Sequence, residues 1–173
     1  NWRWAGVPFF VRSGKKMPRK LTEVVIQFKQ PPVQLFNHID TYRAEGLKQA
    51  NRIVINIAPD EGMSLRLEAK VPGPSLRIKP VKMDLDYAYV FNAQPLESYG
   101  PLMLEAMRGD QTLFKHRDEV DGAWRICEPF LNSERLRAAV ETYPAYTWGP
   151  ATADALMTSG SRMWHNPAEG ERR

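Results

Sequence analysis

Cysteine is nearly absent. Cys127 is the single thiol, so the chain can form neither an internal disulfide nor a cysteine-rich zinc site, and a small core residue is its expected role. Long apolar runs are missing too: nothing approaches the roughly eighteen residues of a membrane span. The opening Asn1-Trp2-Arg3-Trp4 lacks the charged and apolar regions of a signal sequence. The expectation is a cytoplasmic protein with no membrane partner. There is no Gly-x-Gly-x-x-Gly turn between strand and helix, no phosphate loop of the nucleotide-hydrolase type and no Gly-x-Ser-x-Gly elbow. A dinucleotide therefore has no Rossmann turn to bind here. Histidine is scarce: His38, His116 and His165 lack a paired ligand spacing or an obvious carboxylate partner, so each reads as a surface or structural residue. No catalytic residue is assigned. Asp84 and Asp86 share a strand face without the glycine and distal glutamate of a calcium loop, and no metal is expected.

What is present has the balance of one folded domain: 173 residues, 43% hydrophobic and 25% charged. The net charge is +4 and the pI about 9.3. Acids and bases are interspersed outside one segment, which argues against a nucleic-acid partner. That segment is Val11-Arg12-Ser13-Gly14-Lys15-Lys16-Met17-Pro18-Arg19-Lys20, with five cations and no acid. Val7 to Val11 ahead of it has strand composition, so the cations are expected where a buried strand leaves the core. Gly14 permits close backbone approach, Pro18 helps turn the chain, and lysine ammonium groups are mobile point charges suited to phosphate. A phosphorylated small molecule fits better than a polymer. Lys15 and Lys20 would span roughly 17 Å if extended, so both reach one phosphate only if the Met17-Pro18 region folds back. The plainer reading is a solvated loop whose charges serve solubility.

Strand patterns fill the first half. Val24, Ile26 and Phe28 alternate within Glu23 to Lys29, and Pro31-Pro32 stops that run. Asn51 to Ile57 is rich in β-branched residues, Pro59-Asp60-Glu61-Gly62 supplies a turn, and Met63, Leu65, Leu67 and Ala69 then alternate toward a core. Leu76 to Lys79 starts another strand, and the alternation from Met83 predicts strand as far as Phe91. Residues 33–50 read as irregular, with room for a short helix.

From Ser98 the period changes. Tyr99, Leu102, Met103, Ala106 and Met107 form a helical stripe ending at Gly109. A second helix is predicted from a cap at Asp118, burying Val120, Ala123, Trp124 and Cys127 before Pro129. Asp118-Glu119 at its start serves the helix dipole better than acid catalysis. A third is capped near Ser133, and a short one runs from Pro150 to about Met157. Trp124, Trp148 and the tyrosines read as packing residues, not a base-stacking platform. The prediction is an α+β domain over residues 1–160, a large, mainly antiparallel sheet with helices packed on one side, then a polar, mobile tail over 161–173. The apolar start, with Trp2, Trp4, Val7 and Phe9, points to packing against something upstream.

The segment Trp4-Ala5-Gly6-Val7-Pro8-Phe9-Phe10-Val11-Arg12-Ser13-Gly14-Lys15-Lys16 resembles glucose-6-phosphate dehydrogenases, where a Trp-x-Gly-Val-Pro-Phe strand enters an Arg-x-Gly-Lys turn. Ala58-Pro59-Asp60-Glu61-Gly62, Glu105 to Phe114, Asp118-Glu119-Val120 with Ala123-Trp124, and Trp148-Gly149-Pro150 with Ala153-Asp154 follow in the family's order. Only the family's C-terminal domain is matched.

The resemblance implies a part in oxidising glucose 6-phosphate to 6-phosphogluconolactone with NADP, with the Rossmann domain and catalytic histidine lying upstream of this chain. It places Lys15 and Lys20 at the substrate, implies a homodimer or dimer of dimers built on the sheet, and makes the polar face with Arg66, Glu68 and Lys70 a partner surface. Arg12 corresponds to an arginine that touches a second, structural NADP in eukaryotic relatives. Leu21, Val25 and Asn56 stand at that site's other basic positions, so no structural NADP is expected. Ala58 replaces the family's usual glutamine, removing a hydrogen-bonding amide near the sugar. The alternative is a stand-alone anion-binding or oligomeric interaction module without catalysis. A nucleic-acid binder ranks behind both.

Overall fold

Four strands whose β-branched and alternating residues favour a pleated surface pair in chain order as an antiparallel sheet: β1 (Thr22–Gln27), β2 (Arg52–Ala58), β3 (Gly62–Lys70) and β4 (Ile78–Asp86). The computed structural model describes residues 2–30, 32–33, 50–92, 99–157 and 162–167. Most of the irregular 33–50 stretch, including His38, lies outside them. The chain divides into two compact units, Asn1–Lys20 with Arg135–Pro167, and Leu21–Glu134 with Ala168–Arg173. The sheet belongs to the second.

The register sorts the side chains. Val24 pairs with Ile55, Ile26 with Ile53, Ile53 with Leu65, and Leu65 with Met83, so one face is apolar across all four strands. The other face alternates with it and carries Glu23, Gln27, Arg52, Arg66, Glu68 and Lys82 around Val54 and Ser64. Burial runs against the expectation for Met63, Leu65 and Leu67, which are only half-buried, whereas Val54 is 5% exposed. Ladder neighbours such as Arg52 and Arg66 carry long aliphatic stems that can shield the small residues beside them. Among the described residues nothing comparable covers the apolar face, where Ile26, Val81 and Met83 are exposed. Pro80 is tolerated in β4 because that strand is an edge among the described residues. A side chain on Gly62 would run into the Leu85 carbonyl oxygen, so β3 starts on the one residue that fits.

The strand expected to reach Phe91 stops at Asp86. Its carboxylate accepts a hydrogen bond from the Tyr89 amide at 3.0 Å and caps α1 (Tyr87–Phe91). Local capping thus overrides the alternation. The rings of Tyr87 and Phe91, one turn apart, meet edge to face at 5.6 Å. Among the described residues α1 touches the sheet only slightly, at β4, the strand it directly follows.

The helical stripe from Tyr99 is α2 (Tyr99–Arg108), with Pro101 in its first turn and Gly109 left-handed at φ +72° just past its end. The next helix, α3 (Arg117–Leu131), is capped by His116 and not by Asp118. The His116 imidazole accepts from the Asp118 amide at 3.2 Å, while the Glu119 carboxylate accepts from the His116 amide at 3.0 Å. Asp118 and Glu119 stay in the first turn, complementing the dipole. Pro129 lies inside α3 instead of ending it. The stripes predicted to be buried are open: Met107 is 79% and Trp124 62% exposed, and Cys127 is exposed too. The short helices α4 (Glu134–Ala138) and α5 (Thr152–Ala155) follow near their expected positions.

An antiparallel sheet with helices makes this the α+β fold expected. No described helix is long and apolar enough to cross a membrane.

Candidate functional site

The first unit is built around the basic segment. Trp2–Trp4 forms one 3-10 turn, and residues 7–14 run without strand partners. The buried strand expected at Val7–Val11 is therefore not formed: Phe9 and Val11 are exposed, and an extended run without a ladder has no regular bonding to define it as a strand. Beyond it the chain bends at residues 15–16 and again at 18–19, on either side of Met17. These bends turn the segment between Lys15 and Lys20.

Contacts with residues 143–148 and 164–166 hold this segment. The Tyr143 hydroxyl donates to the Lys15 carbonyl at 2.7 Å, and the Tyr146 amide donates to the Lys16 carbonyl at 2.6 Å. The Arg12 guanidinium donates to the Trp148 carbonyl at 3.4 Å, the His165 carbonyl at 3.1 Å and Asn166 Oδ1 at 2.7 Å. It also lies 4.9 Å from the Trp148 ring centroid and 4.8 Å from that of Trp164, a double cation–π contact. Trp164 is fixed in turn, its Nε1 donating to the Ala153 carbonyl at 3.0 Å and its ring meeting Phe10 edge to face. Within the segment expected by polarity to be a mobile tail, Trp164 supplies a ring to Phe10 and Arg12, and His165 and Asn166 supply acceptors to Arg12.

Lys16 and Tyr146 both adopt left-handed backbone, at φ +52° and +65°. That conformation is uncommon for residues with a side chain, and here the two are bonded directly to each other. A Cβ on Gly14 would stand 2.8 Å from the Tyr143 hydroxyl, so glycine is what lets this tyrosine reach Lys15.

Lys15 and Lys20 are both exposed, Lys15 at the first bend and Lys20 at the end of the loop. Among the described residues no hydrogen bond or ion pair engages either ammonium group. Two solvent-facing ammonium groups on a turned, braced loop make an arrangement able to receive an anion. A shallow cleft of about 210 Å³ opens beside Arg12, walled by Val11, Tyr143, Trp148, Pro150, Leu156 and Trp164. It is apolar, and smaller than the roughly 300–1,000 Å³ of most small-molecule sites. Sequence reasoning missed Tyr143 and the double stacking of Arg12, because both depend on segments more than 125 residues apart.

Among the described residues no group of three or more His, Cys, Asp or Glu is arranged to hold a metal ion. The His116 Nδ1 is spent on a helix cap.

The fold and the loop together define an α+β domain that carries a turned basic loop with two solvent-facing lysines. The family model for the C-terminal domain of glucose-6-phosphate dehydrogenase matches residues 1–165, and the chain belongs to that family. It is 42% identical to the glucose-6-phosphate 1-dehydrogenase of Aggregatibacter actinomycetemcomitans, covering 97% of this chain and 32% of the relative. The Mycolicibacterium smegmatis enzyme is also 42% identical, over 97% of this chain and 33% of its own length. A crystal structure of the Mycobacterium avium enzyme superposes with a TM-score of 0.78 at 34% identity, covering 98% of this chain and 34% of that one. The chain thus spans about a third of the length of these relatives.

Proposed function

We propose that this chain is the substrate-contacting and dimerising C-terminal domain of an NADP-dependent glucose-6-phosphate 1-dehydrogenase. The complete enzyme converts glucose 6-phosphate and NADP to 6-phosphogluconolactone and NADPH, the first step of the pentose phosphate pathway. The observation that carries this reading is the family match over residues 1–165 with the braced Lys15–Lys20 loop intact. This chain's own contribution is electrostatic. The Lys15 and Lys20 ammonium groups receive the dianionic phosphate, binding and orienting the sugar. NADP accepts the hydride, and it is bound outside this domain, which has no glycine-rich strand-to-helix turn for it. The domain alone is inactive. It carries no second, structural NADP, because Leu21, Val25 and Asn56 supply no charge for its phosphates and Arg12 is engaged by Trp148, Trp164 and the 165–166 backbone and side chain.

In the complete enzyme, Lys15→Ala and Lys20→Ala should each lower kcat/KM for glucose 6-phosphate by about 1.5–3 kcal/mol in transition-state terms, the worth of a charge-assisted hydrogen bond. An unchanged specificity constant in both variants would remove the assignment. Lys15→Arg is not expected to restore it, since a planar fork replaces a compact point charge.

A further inference from the structure

The bonds that brace the lysine loop converge on its backbone and leave the ammonium groups alone. Tyr143 and Tyr146 hold the carbonyls of Lys15 and Lys16, the two residues of the first bend. Arg12, three residues before Lys15, is fastened at the same time to the aromatic loop through Trp148 and to residues 165–166. The two left-handed residues, Lys16 and Tyr146, face each other across one of these bonds. Such backbone persists only where surrounding contacts over-determine it, and it concentrates at sites where direction matters. A solvated loop serving only solubility would need none of this. A lysine that must deliver a point charge to one place gains from it, because a fixed Cα removes the backbone's share of the ordering cost of binding.

We infer that Tyr143 and Arg12 are positioning residues for Lys15: they touch no substrate, and they fix the bend from which the Lys15 ammonium group reaches the phosphate. The inference rests on the reading that Lys15 binds the phosphate of glucose 6-phosphate. Tyr143 acts through one hydrogen bond, to the Lys15 carbonyl. Arg12 acts through stacking and a fork of donors that lysine cannot reproduce.

The test is a double-mutant cycle in the complete enzyme with glucose 6-phosphate and NADP as varied substrates. Tyr143→Phe should raise KM for glucose 6-phosphate about three- to tenfold, the worth of one neutral hydrogen bond, with kcat and KM for NADP unchanged. Arg12→Lys should raise the same KM at least as much despite keeping its charge. In a Lys15→Ala background both substitutions should lose their effect on KM, because there is no ammonium group left to position. An equal effect of Tyr143→Phe with and without Lys15 would overturn the inference and leave a purely structural clamp. So would a fall in kcat, or a rise in KM for both substrates alike. Loss of folding in Tyr143→Phe is covered by Arg12→Lys, read in the same cycle. If Lys15→Ala itself leaves kcat/KM unchanged, the phosphate reading has failed and the positioning role falls with it. If Lys15→Ala is damaging and the cycle shows no coupling, only the positioning role has failed.

Discussion

At the scale of single residues, short-range hydrogen bonding sets properties that composition does not show. Asp110 accepts from the Thr112 hydroxyl at 2.6 Å and the Thr112 amide at 2.9 Å, just past α2. The Thr112 side chain, then its amide, hold the Asp110 carboxyl below its ordinary 3.8. A carboxyl lowered in the folded state favours folding above 3.8, and that contribution fades as the pH falls through its folded value. Thr112→Val should bring the Asp110 carboxyl back toward 3.8 in an NMR titration; an unmoved titration would mean the amide alone suffices. Lys15, Lys20, Gly14 and Pro18 were legible as a turned, exposed basic loop because their chemistry is local. Tyr143 was not, since nothing near it in the chain points to a partner.

Between residues and the whole lie the elements, whose existence was easier to read than their ends. The period-2 runs became β1 to β4, and the stripe from Tyr99 became α2, because periodicity reflects geometry that every copy of such an element shares. Ends depend on single competing bonds. Asp86 turns the end of an alternating run into a helix cap, and His116 takes the cap that Asp118 was expected to hold. His116→Ala should cost about 0.5–2 kcal/mol of stability, as other cap losses do. Faster amide exchange at Asp118 and Glu119 would locate that loss at the start of α3, and unchanged exchange there would argue that the cap is idle.

At the scale of the whole molecule, the alternation within each strand adds up to one apolar and one polar sheet face. The sheet pairs Val24, Ile26, Ile53, Leu65 and Met83 on one face and Arg52, Arg66, Glu68 and Lys82 on the other. Met83 is half exposed, and the stripes of α2 and α3 are open as well. Exposed apolar surface of this extent marks contact surface. We propose that in the complete protein the apolar face meets a core and the polar face a second copy, so the two faces should respond differently. Met83→Glu should lower the thermal midpoint through burial of an unpaired charge, while Arg66→Glu should reduce the dimer fraction in sedimentation with little thermal effect. Unaltered sedimentation of the Arg66 variant would exclude the polar face as the assembly surface.

The sequence alone determined the fold class, the four strands and the main helices, the family and the turned basic loop, because each rests on local pattern or on residue chemistry that survives without knowledge of contacts. Only the tertiary structure decided that Val7–Val11 lacks a ladder, that Trp164 packs instead of trailing, and that Arg12, Tyr143 and Tyr146 brace the loop. Those outcomes depend on chain segments far apart in sequence finding one another, and no window along the chain contains both halves of such a contact.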